Sequence, residues 1–101
     1  MRDYGHITKY ENILNSGNAN LKKLNEMLDT LESELEAYKA LEGYYFSEER
    51  NQDLSDDENG LIPPEILTGV LGEDYIYDFL GEERDMGLRL IELGLKILKN
   101  Q

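Results

Sequence analysis

The chain has no cysteine and no tryptophan, only two prolines, and one histidine in 101 residues. Without cysteine there can be no disulfide, zinc–thiolate site, iron–sulfur cluster or thiol nucleophile. A lone His6 leaves no histidine cluster for a metal and no histidine–carboxylate constellation for general acid–base work. No run approaches 18 uninterrupted apolar residues, so no membrane span is expected. The opening MRDYGHITKYENIL lacks an apolar leader core, so no secretory signal is expected either. Basic residues are scarce as well: ten Lys and Arg stand against 22 Asp and Glu, a net charge of −12. That balance repels nucleic acid and anionic lipid, and it suits a basic protein surface or cations. Together these absences suit a cytoplasmic protein of a single domain.

What is present is unevenly spread. The segment 43–80 holds ten acidic residues against one arginine, so −9 of the −12 sits there; residues 1–42 hold −3 and residues 81–101 are neutral. The same segment holds both prolines, both phenylalanines and four of the seven tyrosines. The flanks read as helices. Ile7, Tyr10, Leu14, Gly17, Leu21, Leu24, Leu28, Leu31, Leu35 and Tyr38 recur in alternating steps of three and four, the seam of a helix that packs on another helix. The polar stretch Asn15–Asn20 looks like a break, but Leu14 and Leu21 keep one phase across it. A continuous helix of residues 4–42, closed by Gly43 as its C-cap, is therefore predicted.

A second helix is predicted from Glu73 to about Leu98, with Ile76, Leu80, Ile91 and Leu98 on one face. Gly87 and Gly94 lie a heptad apart on the face of Ile91, and each glycine weakens a helix by roughly 1 kcal/mol relative to alanine. The expected fold is all-α: a long antiparallel helical hairpin with an acidic insert containing two short helices. Its parts are the long helix 1–42, the insert 43–72 and the C-terminal helix 73–99. Any uncovered length of the first helix would favour a homodimer.

Within the insert, Ser47-Glu48-Glu49 reads as an N-cap followed by first-turn acids, opening a short helix to about Leu54. Asp53 to Asn59 reads as an acidic loop ended by an Asn59-Gly60 turn. Pro63-Pro64-Glu65 reads as the start of a second short helix closed by Gly69. Val70 and Leu71 are expected to be buried, and Gly72 to cap the last helix.

Three chemistries can be set against this segment. An EF-hand alignment on Gly60 places Ser55, Asp57 and Asn59 at the first ligand positions, but Ile66 stands where a bidentate glutamate is needed. Asp74 and Asp78, at i and i+4, could build a bundle metal site only with Glu-x-x-His partners that the chain lacks. No phosphate loop or nucleophile elbow is present. The expectation is therefore a non-enzymatic protein with no cofactor and no metal site. The aromatics point elsewhere. Tyr44-Tyr45-Phe46 and Tyr75, Tyr77, Phe79 converge if the two long helices are neighbours, either as a small core whose hydroxyls reach the acidic loop or as an acid-rimmed docking patch.

The order Tyr44-Tyr45-x-Ser47, Asp53, Asp57-Glu58-x-Gly60-x-Ile62-Pro63, Gly69-Val70-Leu71-x-Glu73-Asp74 and Tyr77-Asp78-x-Leu80 resembles a family of short bacterial proteins classed as a domain of unknown function. The resemblance implies a bacterial, intracellular protein and supplies no activity. Two positions depart from its pattern: Arg50 stands where a tryptophan is expected, and Gly72 where a serine cap is expected.

The functional expectation is a protein–protein interaction module with a basic partner. The candidate residues are Tyr44, Tyr45, Asp56, Asp57, Glu58, Asp74, Tyr77 and Asp78. Two alternatives share the acidity: a mimic of nucleic acid that occupies a nucleic-acid-binding protein, and a carboxylate site for a divalent metal.

Overall fold

A computed structural model describes residues 2–101. The described residues form three α-helices and no strand: α1 (Gly5–Tyr45), α2 (Glu48–Glu58) and α3 (Tyr75–Lys99), with one 3-10 turn, Gly69–Leu71, before α3. The chain is thus all-α, with two long helices separated by an insert, the order a helical hairpin requires. It divides into two compact units, Met1–Tyr38 and Lys39–Gln101.

The first unit is helix almost throughout. Asp3 Oδ1 accepts the Gly5 N–H at 2.9 Å, satisfying one of the free donors at the helix start. The helix passes unbroken through Asn15–Asn20, as the constant phase requires. No residue of α1 is buried. On the seam, Leu28, Leu31 and Tyr38 are half-buried, while Ile7, Tyr10, Leu14, Leu21, Leu24 and Leu35 are exposed.

The second unit contains the folded insert. Here α1 does not stop at Gly43, contrary to expectation, but runs on to Tyr45. A glycine C-cap works by adopting a positive φ, and among the described residues only Gly60 does so. What ends α1 is Ser47. Its N–H bonds to the Tyr44 carbonyl at 3.0 Å and its Oγ donates to the same oxygen at 2.7 Å. The same Oγ accepts the Arg50 N–H at 3.1 Å, so one serine closes α1 and caps α2.

The expected acidic loop is a second correction. Asp56, Asp57 and Glu58 form the last turn of α2 rather than a loop. Gly60, at φ 69°, lets its own N–H reach the Asp57 carbonyl at 3.1 Å and the Leu61 N–H reach Asp56 at 2.9 Å. This is the Schellman pattern, which needs glycine for its left-handed residue. The helix therefore persists until the glycine, whatever the charge that precedes it.

No helix starts at Pro63. That segment makes a single turn, the Ile66 N–H bonding to the Pro63 carbonyl at 3.0 Å. A helical nucleus this short needs tertiary packing to hold it, and Ile66 and Leu67 are exposed. The second short helical element is instead the 3-10 turn, which touches both α2 and α3. Its Leu71 and Ile76 of α3 are the two buried apolar side chains among the described residues; Val70, also expected inside, is exposed.

Gly72 is not the cap of α3 either. Asp74 holds that position, without a side-chain hydrogen bond. The ring of Tyr75 occupies the space that a Cβ on residue 72 would take, so glycine there permits a close approach. At its far end, α3 has Lys96 and Lys99 in the last turn, where the helix dipole favours cations.

Candidate functional site

The junction between α1 and α2 is tied by side chains as well as backbone. Tyr44 Oη donates to Asp53 Oδ2 at 2.6 Å across nine residues of chain. This short bond holds the phenol in its neutral form. The hydrogen bond to Asp53, then desolvation, then the negative charge of Asp53 push the Tyr44 hydroxyl up from 10.0 to about 12. The bond realises one of the two readings of the aromatics, that of a hydroxyl reaching the acidic segment.

On the other side of the junction, the Arg50 guanidinium lies 4.8 Å from the centre of the Tyr45 ring. At that distance the cation is attracted by the ring face. Arg50 Nε is buried and has no hydrogen-bond partner, as suits a guanidinium laid on a ring rather than forked onto a carboxylate. Arg50 thus makes an aromatic contact of its own at the position where the family pattern led us to expect tryptophan. Phe46 then meets Tyr45 edge-on, with centroids 4.9 Å apart and planes at 80°.

From this junction a groove of about 420 Å³ opens. Glu42, Tyr45 and Phe46 form one wall; Tyr77, Leu80, Gly81, Glu83 and Arg84 form the other. Tyr77, Leu80, Gly81 and Arg84 stand at i, i+3, i+4 and i+7, one face of α3. Gly81 leaves open space where a side chain would project. Phe46 is 76% exposed and Tyr77 65% exposed, so two large aromatic surfaces face solvent beside carboxylates of both walls. A separate, almost wholly apolar cavity of about 310 Å³ lies among Leu41, Gly69, Val70, Tyr75, Ile76 and Phe79.

The candidate residues therefore divide. Tyr45 and Tyr77 come together in the groove. Tyr44 is committed to Asp53 and braces the junction. Asp56 is half-buried and accepts from Gln52 Nε2 at 2.9 Å, while Asp57 and Glu58 are exposed at the end of α2. Asp74 and Asp78 are exposed at the start of α3. None of these five acids lines the groove. Among the described residues, no three His, Asp or Glu side chains are grouped so that they could hold a metal ion.

Sequence reasoning missed Arg50 and Asp53 as positioning groups, and Glu42, Leu80, Glu83 and Arg84 as groove residues, whereas Phe46 belongs to the aromatics it brought together. The helical spacing from Tyr77 to Arg84 was a signal for Leu80 and Arg84. The Tyr44–Asp53 pair had no such signal, because its partners lie on different helices.

No helix among the described residues is long and apolar enough to cross a membrane. No curated protein and no solved structure matches the chain. A family model does match, over residues 7–93, taking in α1 from Ile7, the whole insert and most of α3. The chain belongs to the family described as Domain of unknown function (DUF4298).

Proposed function

We propose that this protein is a non-enzymatic protein–protein interaction module that receives a basic segment of its partner in the groove between Tyr45, Phe46 and Tyr77. The observation that supports this reading is the pairing of two exposed aromatic rings with Glu42 and Glu83 in one concave site. Aromatic anchors that can be desolvated supply most of the affinity at protein interfaces. Acids around them attract a cationic partner and set its orientation. The surrounding charge, −9 over residues 43–80, extends that attraction beyond the groove itself.

The test is capture of partners from lysate of the expressing cells with wild type, Tyr77→Ala, and a variant neutralised at Asp56, Asp57 and Glu58. A partner retained by wild type and lost by Tyr77→Ala supports the groove. Weaker retention by the neutralised variant, reproduced in wild type by added salt, supports a basic partner. Equal recovery by all three contradicts the proposal. An acidic mimic of nucleic acid would depend on the neutralised acids and be indifferent to Tyr77, so the same comparison separates the two readings.

A further inference from the structure

The groove leaves the longest feature of the chain without a role. The seam of α1 runs for five heptads, from Ile7 to Tyr38, entirely within the first unit. It stays apolar at every a and d position except Gly17. Most of it is exposed in the single chain. No other element can cover all of it. At about 1.5 Å per residue the 41 residues of α1 span about 61 Å and the 25 of α3 about 37 Å.

We infer that a second copy of this chain covers the seam, with the two α1 helices packed antiparallel as a coiled coil. Two properties of the seam select the orientation. The first is charge. Residues 1–22 of the sequence have three Lys or Arg against two acids, a net +1. Residues 23–42 have two lysines against six acids, a net −4. A parallel pair sets −4 beside −4 and also brings two copies of the −9 segment to one end. An antiparallel pair sets +1 beside −4 and separates those segments.

The second property is volume. In a parallel pair each seam residue faces itself, so Gly17 meets Gly17 and leaves a void, while Tyr10 meets Tyr10 and Tyr38 meets Tyr38. Antiparallel, with a facing d, Gly17 lies against Leu28, Tyr10 against Leu35, Tyr38 against Ile7, and Leu14 against Leu31. Large and small then alternate across the layers, which is how a core fills without voids.

The absence of cysteine makes the orientation directly testable. The whole chain is made with Leu14→Cys alone, and with Leu14→Cys and Leu31→Cys together, and both are oxidised by oxidised glutathione at micromolar concentration. In one helix these positions lie about 25 Å apart, too far for a disulfide within a chain. The double variant is expected to run as a covalent dimer on a non-reducing gel and the single variant as a monomer. A covalent dimer from the single variant overturns the antiparallel orientation.

Light scattering of the unmodified protein tests the pairing independently of any substitution. The expected mass is twice 11.7 kDa, falling to the single-chain value in Leu21→Glu. A mass of one chain for wild type at concentrations up to 100 µM overturns the proposal, whatever the gel shows. Helix content by circular dichroism for each variant ensures that a loss of mass is not a loss of folding in the second unit.

Discussion

The two units of this protein invert the usual relation between regularity and packing. The first unit is helical without interruption from Gly5 onward, carries five heptads of apolar seam, and has no buried residue in that helix. Lys39–Gln101 is interrupted by two turns, a 3-10 turn and both prolines, and it holds the buried side chains, Leu71 and Ile76. A long amphipathic helix cannot bury its own seam and must borrow a surface. Short elements that fold back on each other enclose a core, however small.

This contrast predicts unequal consequences for equal substitutions. The largest belongs to Ile76, which is 3% exposed. Ile76→Ala is expected to destabilise the second unit by about 3 kcal/mol in chemical unfolding, enough to open a unit with so little core. Removing a similar side chain from the first unit, Ile7→Ala, is expected to lower stability of the dilute single chain far less. Similar losses at both positions would remove the distinction between the units.

Gly60 comes next. Its left-handed conformation stops α2, and Gly60→Ala is expected to cost about 1 to 2 kcal/mol, read as a lower unfolding midpoint. Gly43→Ala, inside α1 and with open space around it, is expected to be neutral or stabilising. Two glycines that look alike in sequence should thus respond with opposite signs.

The Tyr44–Asp53 bond is smaller. Tyr44→Phe removes the donor and is expected to cost about 1 kcal/mol at neutral pH. Its pH dependence has a definite sign. Because folding raises the Tyr44 hydroxyl above its ordinary 10.0 to about 12, the contribution is complete below pH 10 and is lost as pH rises towards 12. The difference in stability between wild type and Tyr44→Phe should therefore shrink across that window and stay constant below it. In Asp53→Asn the Tyr44 phenol should ionise closer to pH 10, visible in its ultraviolet absorbance. Smallest of all is Leu67, 92% exposed: Leu67→Ser is expected to change stability by less than about 0.5 kcal/mol.

The same contrast governed what could be read from the sequence. Period recognition works where structure is periodic. The phase from Leu14 to Leu21 carries α1 through six residues, four of them polar, that composition alone would make a loop. The insert has no period, so its reading rests on punctuation, which marks the Asn59-Gly60 turn correctly and misleads at Gly43, at the acids before that turn and at the prolines. Gly43 reads as a cap in the sequence, yet its φ is not positive; Gly60 has the left-handed conformation that ends a helix. The acids Asp56–Glu58 suggested a loop, but like charges in a last turn cost only tenths of a kcal/mol, less than helix continuation to a well-formed cap provides. Pro63-Pro64 permitted a helix that nothing nearby packs against.

The candidate site shows the same limit. Tyr45 and Tyr77 were legible as aromatics that converge. Arg50 enters the sequence reading only as a departure from the family pattern, although its guanidinium lies over the Tyr45 ring. Glu42 and Glu83 were the acids that mattered to the groove, rather than the denser cluster at the end of α2.

The most direct test of the contrast is amide hydrogen exchange of the wild-type chain, followed residue by residue at several protein concentrations. Amides of residues 7–38 should gain protection as concentration rises, because the helix borrows its stability from a second copy. Amides of residues 51–58 and 78–84, which bond four residues back within α2 and α3, should hold the same protection throughout. Protection of residues 7–38 that is independent of concentration, and equal to that of those amides, would contradict the account.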